Sequence, residues 1–214
     1  MLRAVVFDVG ETLVDESRLW KAWARWLGVS ESDFFRTLED VIRRGEHHRR
    51  VFERFRPGLE LARAREERHA AGDPDEFRAS DLYPDAAPCL SALRARGLKL
   101  GIAGNQPESA EAMLREAGLP VDFVASSEKW GVEKPSPEFF ARIVRELALP
   151  AADIAYVGDR LDNDVLPAAD AGMCAVFLAR GPWGKVHAER AEAARAAVRI
   201  VSLSELPEAL NPGR

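Results

Sequence analysis

The chain has 214 residues, 47% of them apolar, and carries a formal net charge of −5. This length supports one sizeable core with room for a smaller insertion. The acidic balance argues against a general nucleic-acid binder, and no apolar stretch reaches the roughly 18 to 20 residues of a membrane span. The N-terminus is predicted to begin a strand and not a signal peptide, and Cys89 and Cys174 lie in apolar stretches typical of reduced thiols. We therefore expect a cytoplasmic protein, and the acidic net charge favours a small-molecule partner.

The first predicted element is a short apolar strand over residues 4–7, which Asp8 follows at once. Open α/β sheets place their reactive groups at the carboxyl ends of strands, where the chain turns. Asp8 is therefore the first candidate for chemistry, and the turn after it reads VGETL over residues 9–13.

Residues 15–81 have helical periodicity throughout, with apolar side chains such as Trp20, Trp23 and Leu27 recurring three or four positions apart. This stretch is predicted to form a small helical bundle. Its three tryptophans either wall a substrate pocket or pack the bundle core, and their helical spacing favours the core.

From Leu82 the chain alternates short helices and strands, which indicates a parallel sheet with right-handed crossovers. We predict an α/β fold, a doubly wound, Rossmann-like parallel sheet with an inserted all-helical cap: residues 1–14 and 82–214 form the core domain and residues 15–81 the cap. Predicted helices cover 84–96, 107–117, 137–147, 165–171, about 188–197 and the chain from 204, and predicted strands cover 98–103, 121–125, 154–157, 174–178 and 198–201.

Candidate site residues follow two of the later predicted strands. Gly104 and Asn105 end the strand at 98–103, and the backbone N–H groups of such a turn can bind a phosphoryl oxygen without help from a side chain. Asp159 and Asp164 follow the strand at 154–157. Carboxylates gathered at one strand end repel each other unless a cation lies between them, so this spacing predicts Mg²⁺.

Four segments between residues 8 and 173 together resemble the motifs of the haloacid dehalogenase-like hydrolases, in the branch whose helical cap is inserted after the first motif. They are Asp8 to Leu13 against Asp-x-Asp-Gly-Thr-Leu, Gly104-Asn105 against Ser/Thr-Asn, Lys134-Pro135, and Gly158-Asp159 with Asp164 and the helix that ends in Ala171-Gly172-Met173.

The resemblance implies a Mg²⁺-dependent phosphatase that acts on a small phosphorylated metabolite through an aspartyl phosphate. Asp8 would be the nucleophile and Lys134 the charge stabiliser. The implied substrate contacts are Gly104, Asn105 and Thr12, and the implied metal ligands are Asp8, the Gly10 carbonyl, Asp159 and Asp164. A homodimer is left open.

The first motif departs from the family at two positions. Gly10 replaces the second Asp, whose acid/base help is typically worth about 10²- to 10⁴-fold in rate. Glu11 replaces the family's Gly. Glu11 either supplies the missing acid/base, helped by the free backbone angles of Gly10, or makes a salt bridge in the loop toward the cap. The loss of this side chain should slow hydrolysis least for substrates with an acidic leaving group.

Three alternatives follow from these departures. A catalytically weak member would bind a phosphorylated ligand without turning it over. Dehalogenases of the family have Tyr at the position of Gly10 but tend to lack the later acid pair. Phosphonatases have Ala there and use a cap lysine, for which Lys21 is the one candidate, and Lys21 is expected on a solvent face. The arginine-rich cap stretch at 43–56 is likewise expected to be a solvated face.

Overall fold

The computed structural model describes residues 1–211 of the chain. It divides into two compact units: the cap unit, residues 16–81, and the core unit, residues 1–15 with the chain from Leu82 onward. None of the helices within residues 1–211 combines the length and the apolar composition that a membrane span needs. Cys89 and Cys174 are free thiols, in agreement with the sequence-based expectation.

The cap unit consists of four helices and a closing 3₁₀ turn at Ala79–Asp81: α1 Ser17–Leu27, α2 Glu31–Arg43, α3 Arg50–Phe55 and α4 Leu61–Ala70. Phe34 and Leu38 of α2 pack inside this unit together with Trp23, as the helical spacing predicts. The buried guanidinium of Arg68 lies 4.3 Å from the centre of the Trp23 ring and pairs with Asp75 at 3.2 Å, so its charge is compensated.

The basic residues of the cap are largely paired within the cap unit. Arg43 pairs with Glu39 at 2.8 Å, and Arg54 pairs with Glu46 at 3.0 Å, all on exposed or half-exposed side chains. Lys21 is also exposed and lies 3.7 Å from Glu31. These contacts favour the solvated-face interpretation of the stretch 43–56.

The core unit contains a six-stranded sheet in which every pairing is parallel: β1 Ala4–Phe7, β2 Lys99–Gly104, β3 Phe123–Ser126, β4 Ile154–Gly158, β5 Cys174–Leu178 and β6 Val198–Ile200. The order across the sheet is β3-β2-β1-β4-β5-β6, which confirms the predicted fold class. The chain changes direction across the sheet at β1, and a doubly wound sheet opens its ligand crevice at that point.

Seven helices of the described core unit complete the numbering: α5 Ala86–Ala95, α6 Glu108–Glu116, α7 Ser127–Trp130, α8 Pro137–Leu147, α9 Leu166–Asp170, α10 Gly181–His187 and α11 Leu206–Ala209. Helices cover both faces of a parallel sheet, which is why β1 and β4 are apolar along their length and wholly buried. Phe139 and Phe140 of α8 join Val6 and Tyr156 of the sheet in one apolar cluster.

The predicted helix at 188–197 is wrong. The chain forms α10 earlier, at Gly181–His187, and then only a 3₁₀ turn at Ala191–Arg195. The alanine- and glutamate-rich stretch has the better helix propensity, but packing overrides such small differences, and Pro182 is well placed in the first turn of α10. A π turn at Leu161–Val165 also precedes α9, in a segment most of which lies between the predicted strand at 154–157 and the predicted helix at 165–171.

Candidate active site

The carboxyl ends of three neighbouring strands bring the predicted residues together. Asp8 directly follows β1 and is 7% exposed, with its N–H donating to the carbonyl of Val157 at 2.9 Å. Gly104 is the last residue of β2, and Asp159 directly follows β4. Because β1 lies between β2 and β4, these positions share one edge of the sheet at the reversal of strand order.

Lys134 joins two of the acids across this edge. Its Nζ donates to Asp8 Oδ1 and to Asp164 Oδ1, both at 2.6 Å, and the residue is 2% exposed. Burial alone would lower the pKa of Lys134, but the charges of Asp164 and Asp8 outweigh it and raise the pKa well above its usual range. Lys134 is therefore a fixed positive charge beside Asp8.

The side chain of Asn105 is used to hold Lys134. Its Oδ1 accepts a hydrogen bond from the Lys134 N–H at 2.8 Å, and its Nδ2 donates to the Lys134 carbonyl at 2.9 Å. This two-point contact fixes the peptide from which the ammonium extends. The contact between Asn105 and a phosphate group stays a prediction.

Asp8, Asp159 and Asp164 form a buried acidic cluster whose nearest oxygens lie within 4.8 Å of one another. Burial raises the pKa of Asp159 well above its usual range, and Asp164 and Asp8 raise it further. Burial also raises the pKa of Asp164 to about 6, against the opposing charge of Lys134. Within residues 1–211, Asp159 Oδ2 is buried with no hydrogen-bond partner. An oxygen-rich cluster of this kind, with one buried oxygen that lacks a partner among the described residues, suits a divalent cation such as Mg²⁺.

Asp164 is held by its own loop as well as by Lys134. The residue lies in the π turn, and its Oδ2 accepts a hydrogen bond from the backbone N–H of Arg160 at 2.9 Å. A Cβ at Gly158 would lie 2.4 Å from the Asp164 Cγ, so only glycine allows this carboxylate to lie against the end of β4. The Gly-Asp pair of the sequence thus has a steric reason.

Gly104 lies on the other side of β1, and a similar close approach of side-chain atoms explains why this residue is glycine. A Cβ on this residue would lie 2.7 Å from Asp8 Oδ1 and 3.1 Å from Val9 Cγ2. The space that a family serine or threonine would fill is therefore taken up by the nucleophile candidate itself. The predicted contact between the Gly104 N–H and phosphate stays a prediction.

Gly104→Ala is expected to lower kcat by about 10- to 100-fold, because the added methyl group would push the Asp8 carboxylate out of line with Lys134. Steady-state hydrolysis of a phosphomonoester, the reaction that the resemblance implies, measures the effect. Gly97→Ala is the matched control, since it strains a left-handed glycine with no atom within 4 Å of the new Cβ and should leave kcat unchanged. A Gly104→Ala enzyme with the parent kcat would contradict the steric argument.

Glu11 is buried and has a strained backbone. Its φ of +53° is in the left-handed region, which glycine adopts most easily and where the family motif carries Gly. The backbone freedom that we expected from Gly10 is thus used at Glu11 instead. Tyr83 Oη donates to Glu11 Oε2 at 2.7 Å, and a Cβ at Gly181 would lie 2.5 Å from the same oxygen. Burial, with the nearby charge of Glu11, raises the pKa of Tyr83.

Thr12 is fully buried, and Arg180 Nη1 donates to its carbonyl at 3.3 Å. The Arg180 guanidinium also lies 4.1 Å from the centre of the Tyr83 ring and pairs with Asp85. Sequence reasoning missed both Tyr83 and Arg180. Their positions in the sequence give a partial signal, since Tyr83 is the second residue after the predicted insertion and Arg180 comes shortly after β5. Nothing in the sequence, however, pairs either residue with positions 11 or 12. The contact between Thr12 and substrate stays a prediction.

Comparison with known proteins gives a family match for the chain. Residues 2–172 match the family model described as haloacid dehalogenase-like hydrolase. The chain is 33% identical over 207 residues to a glyceraldehyde 3-phosphate phosphatase of Methanopyrus kandleri, and the match covers 86% of each chain.

Solved structures agree on the fold. A HAD phosphatase from Thermococcus onnurineus superposes with a TM-score of 0.62 at 26% identity, covering 98% of each chain. An L-2-haloacid dehalogenase from Xanthobacter autotrophicus, with chloropropionic acid covalently bound, superposes with a TM-score of 0.72 at 22% identity over the full length of both chains. The second similarity supports the fold alone.

Proposed function

Because the chain belongs to the haloacid dehalogenase-like hydrolases, we propose that it is a Mg²⁺-dependent phosphatase that cleaves a small phosphorylated metabolite through an aspartyl phosphate on Asp8. The observation that carries the proposal is the Lys134 ammonium held 2.6 Å from both Asp8 and Asp164, inside a cluster that leaves an Asp159 oxygen without a partner among the described residues. The phosphatase named among the relatives supports the substrate class.

In this scheme an Asp8 oxygen attacks phosphorus, the bond from phosphorus to the ester oxygen breaks, and the leaving group takes up a proton from Glu11 or from water. Water then cleaves the aspartyl phosphate, which releases inorganic phosphate and restores the carboxylate. Lys134 balances the negative charge that gathers on Asp8 and the transferred group. Asn105 contributes by holding the Lys134 peptide in place.

The residues that would hold the metal are Asp8, Asp159 and Asp164, with the carbonyl of Gly10. When bound, Mg²⁺ would supply positive charge to the transferred group and offset the repulsion among the carboxylates. The raised pKa values of Asp159 and Asp164 support this assignment, since they reflect a cluster that is short of positive charge.

The direct test is hydrolysis of phosphomonoesters by the purified protein, with Mg²⁺ and with EDTA. Glyceraldehyde 3-phosphate and an activated aryl phosphate are suitable first substrates, because one is the substrate in a relative's name and the other has an acidic leaving group. Phosphate release that requires Mg²⁺ is expected. Halide release from 2-haloacids without metal would instead favour the dehalogenase alternative.

Glu11→Gln is expected to lower kcat by about 10²-fold for alkyl phosphates and by less for aryl phosphates, if Glu11 replaces the acid/base missing at Gly10. Gln keeps an acceptor for Tyr83 but cannot deliver or take the proton. Glu111→Gln, which alters a buried glutamate that accepts from Ser126, is the control and should not change this pattern. Unchanged rates for both substrate classes would remove Glu11 from the mechanism.

A second candidate is a catalytically weak protein that binds a phosphorylated ligand. The absence of the family's second Asp at Gly10 and of its hydroxyl at Gly104 favours it. Thermal stabilisation that saturates with phosphate, together with no turnover of any phosphomonoester, is the result that this candidate predicts. For both candidate functions we propose a cytoplasmic location, which the free thiols of Cys89 and Cys174 support.

A further inference from the structure

A buried histidine contacts the loop that carries two of the acids. His187 is the last residue of α10 and is 2% exposed. Its Nδ1 accepts a hydrogen bond from the backbone N–H of Leu161 at 3.0 Å. Leu161 lies between Asp159 and Asp164 and is the first residue of the π turn that contains Asp164.

The first N–H groups of a helical turn have no partner within the turn, and a side chain of the preceding residue usually supplies one. Arg160 stands at that position and makes no such hydrogen bond. The imidazole of His187 takes over this task from another element of the core unit. Without it, the buried Leu161 N–H would lose its acceptor, which costs free energy in a site closed to water.

The loop has a second anchor of a different kind. The Arg160 N–H donates to Asp164 Oδ2 at 2.9 Å, so this bond uses a carboxylate that is itself a candidate metal ligand. The bond from Leu161 to His187 uses no acid of the cluster. It can therefore hold the loop in the same place whatever the Asp164 carboxylate binds.

The imidazole is suited to accept a hydrogen bond at neutral pH. Burial lowers the pKa of His187 to about 4, against the opposing charge of Asp162. The other charged groups near it are Arg190 and Arg160, which lower the pKa further, and Glu192, which raises it. A neutral ring that accepts at Nδ1 carries its proton on Nε2.

We propose that His187 is a positioning residue for the divalent-cation site: by anchoring Leu161, it sets the separation of Asp159 and Asp164 and so the affinity for Mg²⁺. The inference rests on the proposed function, since that function supplies the metal. His187 touches neither substrate nor metal in this role. Outer partners that orient metal ligands typically contribute about 10- to 100-fold to metal affinity.

Isothermal titration of the full-length protein with Mg²⁺, without substrate, tests the proposal. His187→Phe removes the acceptor and is expected to weaken Mg²⁺ binding by about 10-fold or more. His187→Asn, whose Oδ1 stands near the position of Nδ1, should recover most of the affinity. The Mg²⁺ concentration for half-maximal activity should rise in His187→Phe, while kcat at saturating Mg²⁺ should change much less.

Val186→Ala is the matched control, because it also removes side-chain atoms from the buried face of α10 but leaves the hydrogen bond between Leu161 and His187 intact. It should bind Mg²⁺ like the parent protein.

Normal Mg²⁺ affinity in a folded His187→Phe protein would overturn this inference and leave the proposed function standing. If that variant fails to fold, His187→Gln replaces it; its acceptor stands near Nε2, so equal affinities for the Asn and Gln variants would overturn the inference. Failure of the unsubstituted protein to bind Mg²⁺ would overturn the proposed function, and this inference with it.

Discussion

Asp8→Asn is expected to lower kcat by at least about 10⁴-fold, as removal of a covalent nucleophile typically does. An amide of the same shape cannot attack phosphorus effectively, and the aspartyl phosphate cannot form. Asn still offers an oxygen that can accept the hydrogen bond that Lys134 donates to Asp8 at 2.6 Å, so the fold should persist. Phosphate release under saturating Mg²⁺ measures the effect.

Asp162→Asn is the control for this substitution. Asp162 belongs to the same loop as Asp159 and Asp164, but its side chain is 54% exposed and pairs with Arg160. Its loss should leave kcat within about threefold, as for an ordinary surface change. Trapping with beryllium fluoride gives independent evidence, since an adduct should form on the parent protein and not on Asp8→Asn. Turnover by Asp8→Asn above a hundredth of the parent rate would show that Asp8 is not the nucleophile.

Lys134→Met is expected to destabilise the metal-free protein by about 3 to 5 kcal/mol, the usual cost of removing one partner of a buried ion pair. Lys134 Nζ is the shared partner of Asp8 and Asp164, and all three groups are buried. Removing the ammonium would leave the two carboxylates with their mutual repulsion. Urea unfolding in EDTA measures the loss, and kcat should fall by about 10²- to 10³-fold as well.

Added Mg²⁺ should separate this effect from a general packing defect. Because a cation that binds only the folded protein stabilises it, Mg²⁺ should raise the stability of Lys134→Met more than that of the parent, whose cluster already contains a positive charge. Lys185→Met, an exposed lysine on α10, should change stability by less than about 0.5 kcal/mol. A Lys134→Met protein as stable as the parent in EDTA would contradict the proposed charge balance.

The sequence by itself determined the sheet and the acidic residues at its carboxyl edge. Each buried strand is a short apolar run, and each candidate acid directly or closely follows one, so the positions of Asp8, Asp159 and Asp164 could be predicted from local pattern. Parallel strands bring their carboxyl ends to one edge, which is why residues up to 156 positions apart in sequence meet there.

Only the tertiary structure decided how these side chains are used. The hydrogen bonds from Tyr83 to Glu11 and from Asn105 to Lys134, and the close approach of Asp8 to Gly104, join residues far apart in the chain. Tertiary packing also decided where α10 forms, since this helix lies at 181–187 although a later stretch has the better helix propensity. Local pattern reports which face of an element is buried, whereas the partner of a buried polar group depends on how separate elements pack.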